Sequence, residues 1–189
     1  MDFKPVIAKA QEFAYAQSKE YQLPSLFHVD YANEVGQRLA TQLHANAEIV
    51  LLGTLFMDCM LGPARKEGKQ SEHALMSAQE AKKFLTQFHN FSEKDKENVY
   101  YCALQHHGGT SFYSLEAEIC CNVDCYRFAS VKGAIGGMIN GHSINLDELI
   151  ALYRQKADEK WNALTLEICK KELKPQYQAI KEFLNQYHG

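Results

Sequence analysis

The sequence predicts an all-α fold, and three observations carry that prediction. Apolar residues recur at spacings of three and four between the glycine and proline punctuation, alternating strand-like runs are missing, and capping residues stand just ahead of the apolar runs. The starts are marked in order by Asp2, Ser25, Asn46, Ser92 with Asp95 three residues on, Ser114, and Asn145 ahead of Leu146. About seven helices follow, over roughly residues 3–19, 25–43, 47–60, 72–88, 93–106, 114–131 and 146–173. Pro175 is expected to open a last helix reaching about Tyr187, because proline suits a first turn and breaks an interior one.

Two segments interrupt this rhythm. Leu61–Gln70 reads as a loop holding Arg65, Lys66 and Lys69, cations suited to phosphate contacts. Gly133, Gly136, Gly137 and Gly141 read as a mobile connection, a lid or a linker. The expected organisation is therefore a helical domain over 1–132, a glycine-rich connection over 133–145, and C-terminal helices over 146–189 that pack on the bundle. In the last long helix, Leu146, Leu149, Tyr153, Ala157, Trp161, Leu164 and Ile168 share one stripe, fit to pack on the bundle or on a second subunit in a homodimer.

Composition narrows the function classes. A chain of 189 residues fits one domain, or one domain with a helical extension, and can bury most of its apolar surface. A net charge of −3 offers no general footprint for nucleic acid, so no nucleic-acid partner is expected, whereas a small phosphorylated ligand needs only a local basic patch. The six cysteines sit in apolar helical patterns without a zinc-type CxxC pair, and read as reduced core thiols. The start lacks a signal-like basic and apolar region, and no uninterrupted apolar run approaches the ~20 residues of a membrane span. The expectation is a cytoplasmic protein with no membrane partner.

The chemistry lies in isolated carboxylates and imidazoles on different helices. Asp58 is the one formally charged residue in Ile49–Leu61, and a buried carboxylate there requires a cation, a donor cluster or a metal. Asp124 repeats the puzzle in Ile119–Phe128. Taken singly, Asp58 could pair with Arg65, and Asp124 with Arg127 one turn on. His28 shares a face with Tyr31, Ala32, Val35 and Leu39, His73 starts a helix, and His106-His107 end one. Converging imidazoles and carboxylates form a donor set for magnesium or a divalent transition metal. Such an ion polarises phosphoryl oxygens and makes water a nucleophile near neutral pH.

The order His28, Met57-Asp58, His73, His106-His107, Asp124 resembles the HD-domain metal-dependent phosphohydrolase superfamily over roughly residues 20–130. The resemblance implies an HD-type helical bundle with additional C-terminal helices, and a divalent ion (Mn, Mg, Fe, Ni or Zn) held by His28, Asp58, His73, His106 and Asp124. His107 is the alternative to His106. The implied reaction is hydrolysis of a nucleotide or other small phosphorylated metabolite by metal-activated water, with Asp58 catalytic and Arg65 and Lys66 neutralising phosphate. Met57 stands where the family's doublet has its histidine, and a thioether is a soft, weak ligand. That departure implies metal bound weakly or not at all, and an alternative reading as a degenerate HD domain that binds or senses a ligand without hydrolysis. A di-iron oxygenase would need Glu-x-x-His pairs, which this sequence lacks.

Overall fold

The structure is a computed structural model that describes residues 3–89, 91–140 and 144–187. Its helices are α1 (Lys4–Tyr21), α2 (Leu26–Leu43), α3 (Ala47–Phe56), α4 (Leu61–Lys66), α5 (His73–Leu85), α6 (Glu93–Leu104), α7 (Leu115–Ala129), α8 (Val131–Asn140), α9 (Leu146–Ala163) and α10 (Glu167–Asn185), with a short 3-10 turn at Gln70–Glu72. No strand occurs among the described residues, so the class is all-α as the periodicity predicts.

Five of the expected caps form as side-chain hydrogen bonds. Ser25 accepts from the His28 N–H, Asn46 from Glu48 and Ile49, Ser92 from Asp95, Ser114 from Ala117, and Asn145 from Glu148. Each satisfies a first-turn donor that has no partner inside its own helix. Asp2 lies outside the described residues.

The hydrophobic α3 runs through the middle of the bundle, in contact with α1, α2, α5, α6 and α7. Ile49, Val50, Leu52, Leu55 and Phe56 are all buried there, and each contributes about 1.5–3 kcal/mol by leaving water. Gly53 allows the close approach of α6 and α7, since a Cβ at that position would lie 2.6 Å from Cys102 Cβ and 2.7 Å from Cys120 Sγ. All six cysteines are buried and unpaired, in keeping with their reading as core thiols. By length and mean composition alone Ala47–Lys66 could cross a membrane, although charged residues including Asp58 interrupt its apolar run, and most of it is buried inside the bundle.

The structure departs from the sequence reading in three places. Asp58 lies in a turn after α3, not inside a helix reaching residue 60, and the expected loop over 61–70 contains α4 and the 3-10 turn. The glycine-rich segment is helical over Val131–Asn140. Its glycines provide close packing: a Cβ on Gly133 would lie 2.2 Å from the Tyr126 carbonyl oxygen, and one on Gly136 would lie 2.0 Å from the Phe27 ring. Gly141 lies outside the described residues. Because backbone cannot yield as a side-chain tip can, Gly133→Val is expected to destabilise the fold by about 1–3 kcal/mol, read as a lower urea midpoint.

The third departure is the end of the long C-terminal helix. Instead of running to 173, α9 stops at Ala163 and α10 begins at Glu167, with Pro175 inside α10. Buried Asn122 of α7 compensates the break: its Oδ1 accepts from the backbone N–H groups of Thr165 and Leu166, 3.1 Å each, and its Nδ2 donates to Thr165 Oγ1. Pro175 cannot donate to the preceding turn, yet α10 continues because Cys169, Leu173, Ile180 and Leu184 bury one face of it. The Trp161 stripe packs within the chain at its centre, where Tyr153, Ala157 and Leu164 are buried and Trp161 stacks on Tyr177 of α10 at 4.7 Å. Arg38 of α2 grips Glu172 of α10 through two 2.9 Å bonds, and the Tyr126 hydroxyl of α7 donates to the same carboxylate. The C-terminal helices are thereby fastened to α2 and α7.

Candidate metal centre

Each site residue is delivered by the end of an element or by its most buried face. His28 occupies the first turn of α2, Asp58 the turn between α3 and α4, His73 the first residue of α5, His106 and His107 the turn closing α6, and Asp124 the buried face of α7. The five ligands expected from the resemblance come together, with Asp58 at the centre. Asp58 Oδ2 lies 3.1 Å from His28 Nε2, and Asp58 Oδ1 lies 3.2 Å from His73 Nε2 and 3.4 Å from His106 Nε2. Asp58 is therefore surrounded by imidazoles rather than paired with Arg65. One donor atom each from His28, Asp58 and Asp124 falls within a 4.8 Å group, and one each from His73, His106 and His107 falls within a second. Both His106 and His107 face the centre.

The outer ring nitrogens fix the tautomers. His73 Nδ1 lies 2.7 Å from the Gln70 carbonyl and His106 Nδ1 lies 2.6 Å from the Ala103 carbonyl, so both must donate there. In the neutral rings the two Nε2 atoms then present lone pairs to Asp58 Oδ1. Lone pairs facing a carboxylate repel unless a proton or a cation lies among them, and His106 Nε2 is buried with no hydrogen bond of normal geometry. The same arrangement, an imidazole anchored through its far N–H, is what orients histidine ligands around metals.

The spacing fits an ion as well as the chemistry does. Nitrogen and oxygen ligands about 2.0–2.2 Å from a shared ion sit roughly 3.0–3.5 Å from one another, and the three contacts to Asp58 span 3.1 to 3.4 Å. Three imidazoles and a carboxylate are a borderline donor set, suited to Mn, Fe, Ni or Zn more than to an all-oxygen ion. Met57 is 1% exposed and belongs to the hydrophobic core.

Electrostatics follow from burial opposed by partners. Burial pushes the Asp58 carboxyl up, but the surrounding imidazoles of His106, His28 and His73 outweigh it and hold the group well below the ordinary carboxylate range. Burial together with the nearby Arg127 charge pushes His28 down, against the pull of Asp58. For His73 burial is overcome by Asp58, and its pKa is raised. Burial raises Asp124 too, and the charge of Lys160 overrides it, leaving Asp124 well below the ordinary range.

Three further residues belong to the site: Lys160, which the sequence reading missed; His107, expected only as the alternative to His106; and Arg127, expected only as a partner for Asp124. Lys160 of α9, 3% exposed, places Nζ 2.5 Å from Asp124 Oδ2 and 2.9 Å from His107 Nδ1. Asp124 is thus paired with Lys160 and not with Arg127. The signal was available, because Lys160 interrupts the apolar face between Ala157 and Leu164 at helical spacing. His107 bridges the two halves: Nδ1 accepts from Lys160, and Nε2 lies 3.0 Å from His73 Nε2. Arg127, the third, makes no ion pair among the described residues and lies with its guanidinium carbon 5.1 Å from the Phe128 ring centre.

A cavity of 420 Å³ opens onto this cluster, lined by Asp58, His73, His107, Asp124, Lys156 and Lys160 among others. A second, of 580 Å³, lies beside it, and Leu23, Arg65, Arg127, Phe128 and Leu152 line both. Lys66 lines only the second, with its ammonium over the Tyr21 ring at 6.0 Å. Arg65 is therefore placed to reach the centre, whereas Lys66 lies farther along the cleft.

No protein-family model matches the sequence, and no curated protein matches it. Among solved structures, the chain is similar to a predicted HD superfamily hydrolase from an uncultured Thermotogales bacterium, with a TM-score of 0.63 and 13% identity over 98% of this chain and 97% of that one. At that identity the likeness establishes the fold alone, an all-α bundle similar to that of the HD-superfamily neighbour.

Proposed function

We propose that the chain is a metal-dependent phosphohydrolase acting on a nucleotide or other small phosphorylated metabolite. The observation that carries the reading is Asp58 ringed by His28, His73 and His106, two of them tautomerically fixed with Nε2 lone pairs turned inward. A divalent ion held there would supply Lewis acidity toward a phosphoryl oxygen and acidify a water. His28, Asp58, His73 and His106 would hold it, and Asp124 faces the same space. Arg65, Arg127 and Lys156 line the path from solvent, and their charges suit the non-bridging oxygens of a phosphate. The neighbouring cavity, walled by Tyr21, Phe128 and Tyr153, leaves room for the organic part of the substrate.

The test is a phosphate-release screen over nucleotides and sugar phosphates with added Mn²⁺, Zn²⁺, Ni²⁺, Fe²⁺ and Mg²⁺. Turnover that requires one of these ions supports the reading; ligand binding without phosphate release under any of them favours a non-hydrolytic ligand-binding module. Met57 is the observation in favour of that second reading. Met57→His is expected to raise metal affinity, measured by competition with a chelating dye, and equally tight loading of both proteins would contradict a weakening role for Met57. Arg127→Ala is expected to weaken phosphate-ester binding by about 10- to 100-fold, the loss of a charge-assisted hydrogen bond, with metal affinity unchanged.

A further inference from the structure

We propose that the Lys160 ammonium stands in for a metal ion at Asp124, so that removing its charge adds one divalent-cation site per chain. The inference rests on the reading of the cluster as a metal centre. Donor atoms of this cluster fall into two groups, one on the His28, Asp58 and Asp124 side and one on the His73, His106 and His107 side. Such a set could serve two ions. Lys160 intrudes where the two groups meet, with Nζ held between a carboxylate oxygen of Asp124 and the Nδ1 lone pair of His107. A carboxylate and an imidazole lone pair are what a transition metal would otherwise take.

The placement is built in. Asn122 ends α9 by binding the backbone at Thr165 and Leu166, which fixes the last turn of α9 against α7 two positions from Asp124. Lys160 is buried together with its charge, 2.5 Å from the Asp124 carboxylate. Charge balance leads the same way. Asp58 and Asp124 bring two negative charges, and one divalent ion with one ammonium already exceeds them. With Lys160 in place a second divalent ion would raise the excess from one positive charge to three in a buried site, which is costly, whereas without the ammonium the same two ions leave an excess of two. The expected centre of the natural chain is one exchangeable ion beside one covalently tethered cation, and the tether keeps a positive charge in the cavity whether or not metal is present.

Ion counting tests this without reference to activity. Chelator-stripped wild type, Lys160→Gln and Lys160→Arg are dialysed against Mn²⁺ and analysed for manganese per chain, with circular dichroism to verify folding. Lys160→Gln is expected to hold one more Mn²⁺ than wild type, and Lys160→Arg, which keeps the charge, the same number as wild type. If Lys160→Gln does not fold without metal, Mn²⁺ is expected to restore its melting transition and to raise the melting temperature of wild type by less. Equal counts in wild type and Lys160→Gln, or failure of Mn²⁺ to restore an unfolded Lys160→Gln, overturn the inference. Counts of none in wild type and one in the glutamine variant uphold it while overturning the reading of the natural chain as a metal enzyme. Two ions in both proteins do the reverse.

Discussion

Asp58→Asn is expected to abolish metal binding and phosphate release together while leaving the bundle folded. Asparagine keeps the shape of the carboxylate and removes the charge at which His28, His73 and His106 converge. Substitution even of outer-shell partners typically lowers metal affinity by 10- to 100-fold, so loss of the central anion is expected to cost about 100-fold or more. Calorimetric titration and a phosphate assay on the same preparation check both effects. The fold survives in this account because α3 is held by its apolar residues, which the substitution does not touch. Retention of wild-type turnover in Asp58→Asn would contradict the assignment of Asp58 as the centre of the site.

The largest stability effect is expected at the Asp124–Lys160 pair. Both side chains are 3% exposed, and removing one partner of a buried pair strands the other charge, at a cost of about 3–5 kcal/mol. Asp124→Leu and Lys160→Met, measured in metal-free protein by urea denaturation, are each expected to lose that much. The double variant Asp124→Leu/Lys160→Met is expected to recover most of it, since an apolar replacement of an ion pair leaves no orphaned charge. The pH dependence has a definite sign. Asp124 and Asp58 are held below the ordinary carboxylate range in the folded state, so their stabilisation is present above the unfolded value, near about 3.9, and is lost as pH falls through the folded values. The double variant should accordingly lose less stability than wild type on acidification below about pH 5.

Sequence reasoning reached the class of the fold because local rules govern it. Periodicity and five capping residues locate most helix starts, and each of those caps forms a hydrogen bond in the structure. It failed where tertiary contacts decide. Nothing local to residues 164–166 announces a helix break, which is compensated by Asn122 some forty residues earlier in the chain. The glycines of α8 suggest freedom by composition alone, yet Gly133 and Gly136 serve contact with the α7 backbone and the Phe27 ring. The candidate site divides in the same way. Isolated carboxylates in apolar stretches were conspicuous, and so were the histidines in their order. Lys160 was not: it comes from α9, and its pairing with Asp124 depends on how α9 lies across α7. Arg127 was seen only as a neighbour of Asp124 along the helix, whereas its guanidinium lies over Phe128 and lines both cavities.

The central claim is that the cluster around Asp58 is a metal centre, and titration of chelator-stripped wild type with Mn²⁺ and Zn²⁺ in a calorimeter tests it most directly. Saturable binding of at least one of these ions is expected, with loss of the signal in Asp58→Asn. Absence of saturable binding by either ion in folded wild-type protein would contradict it.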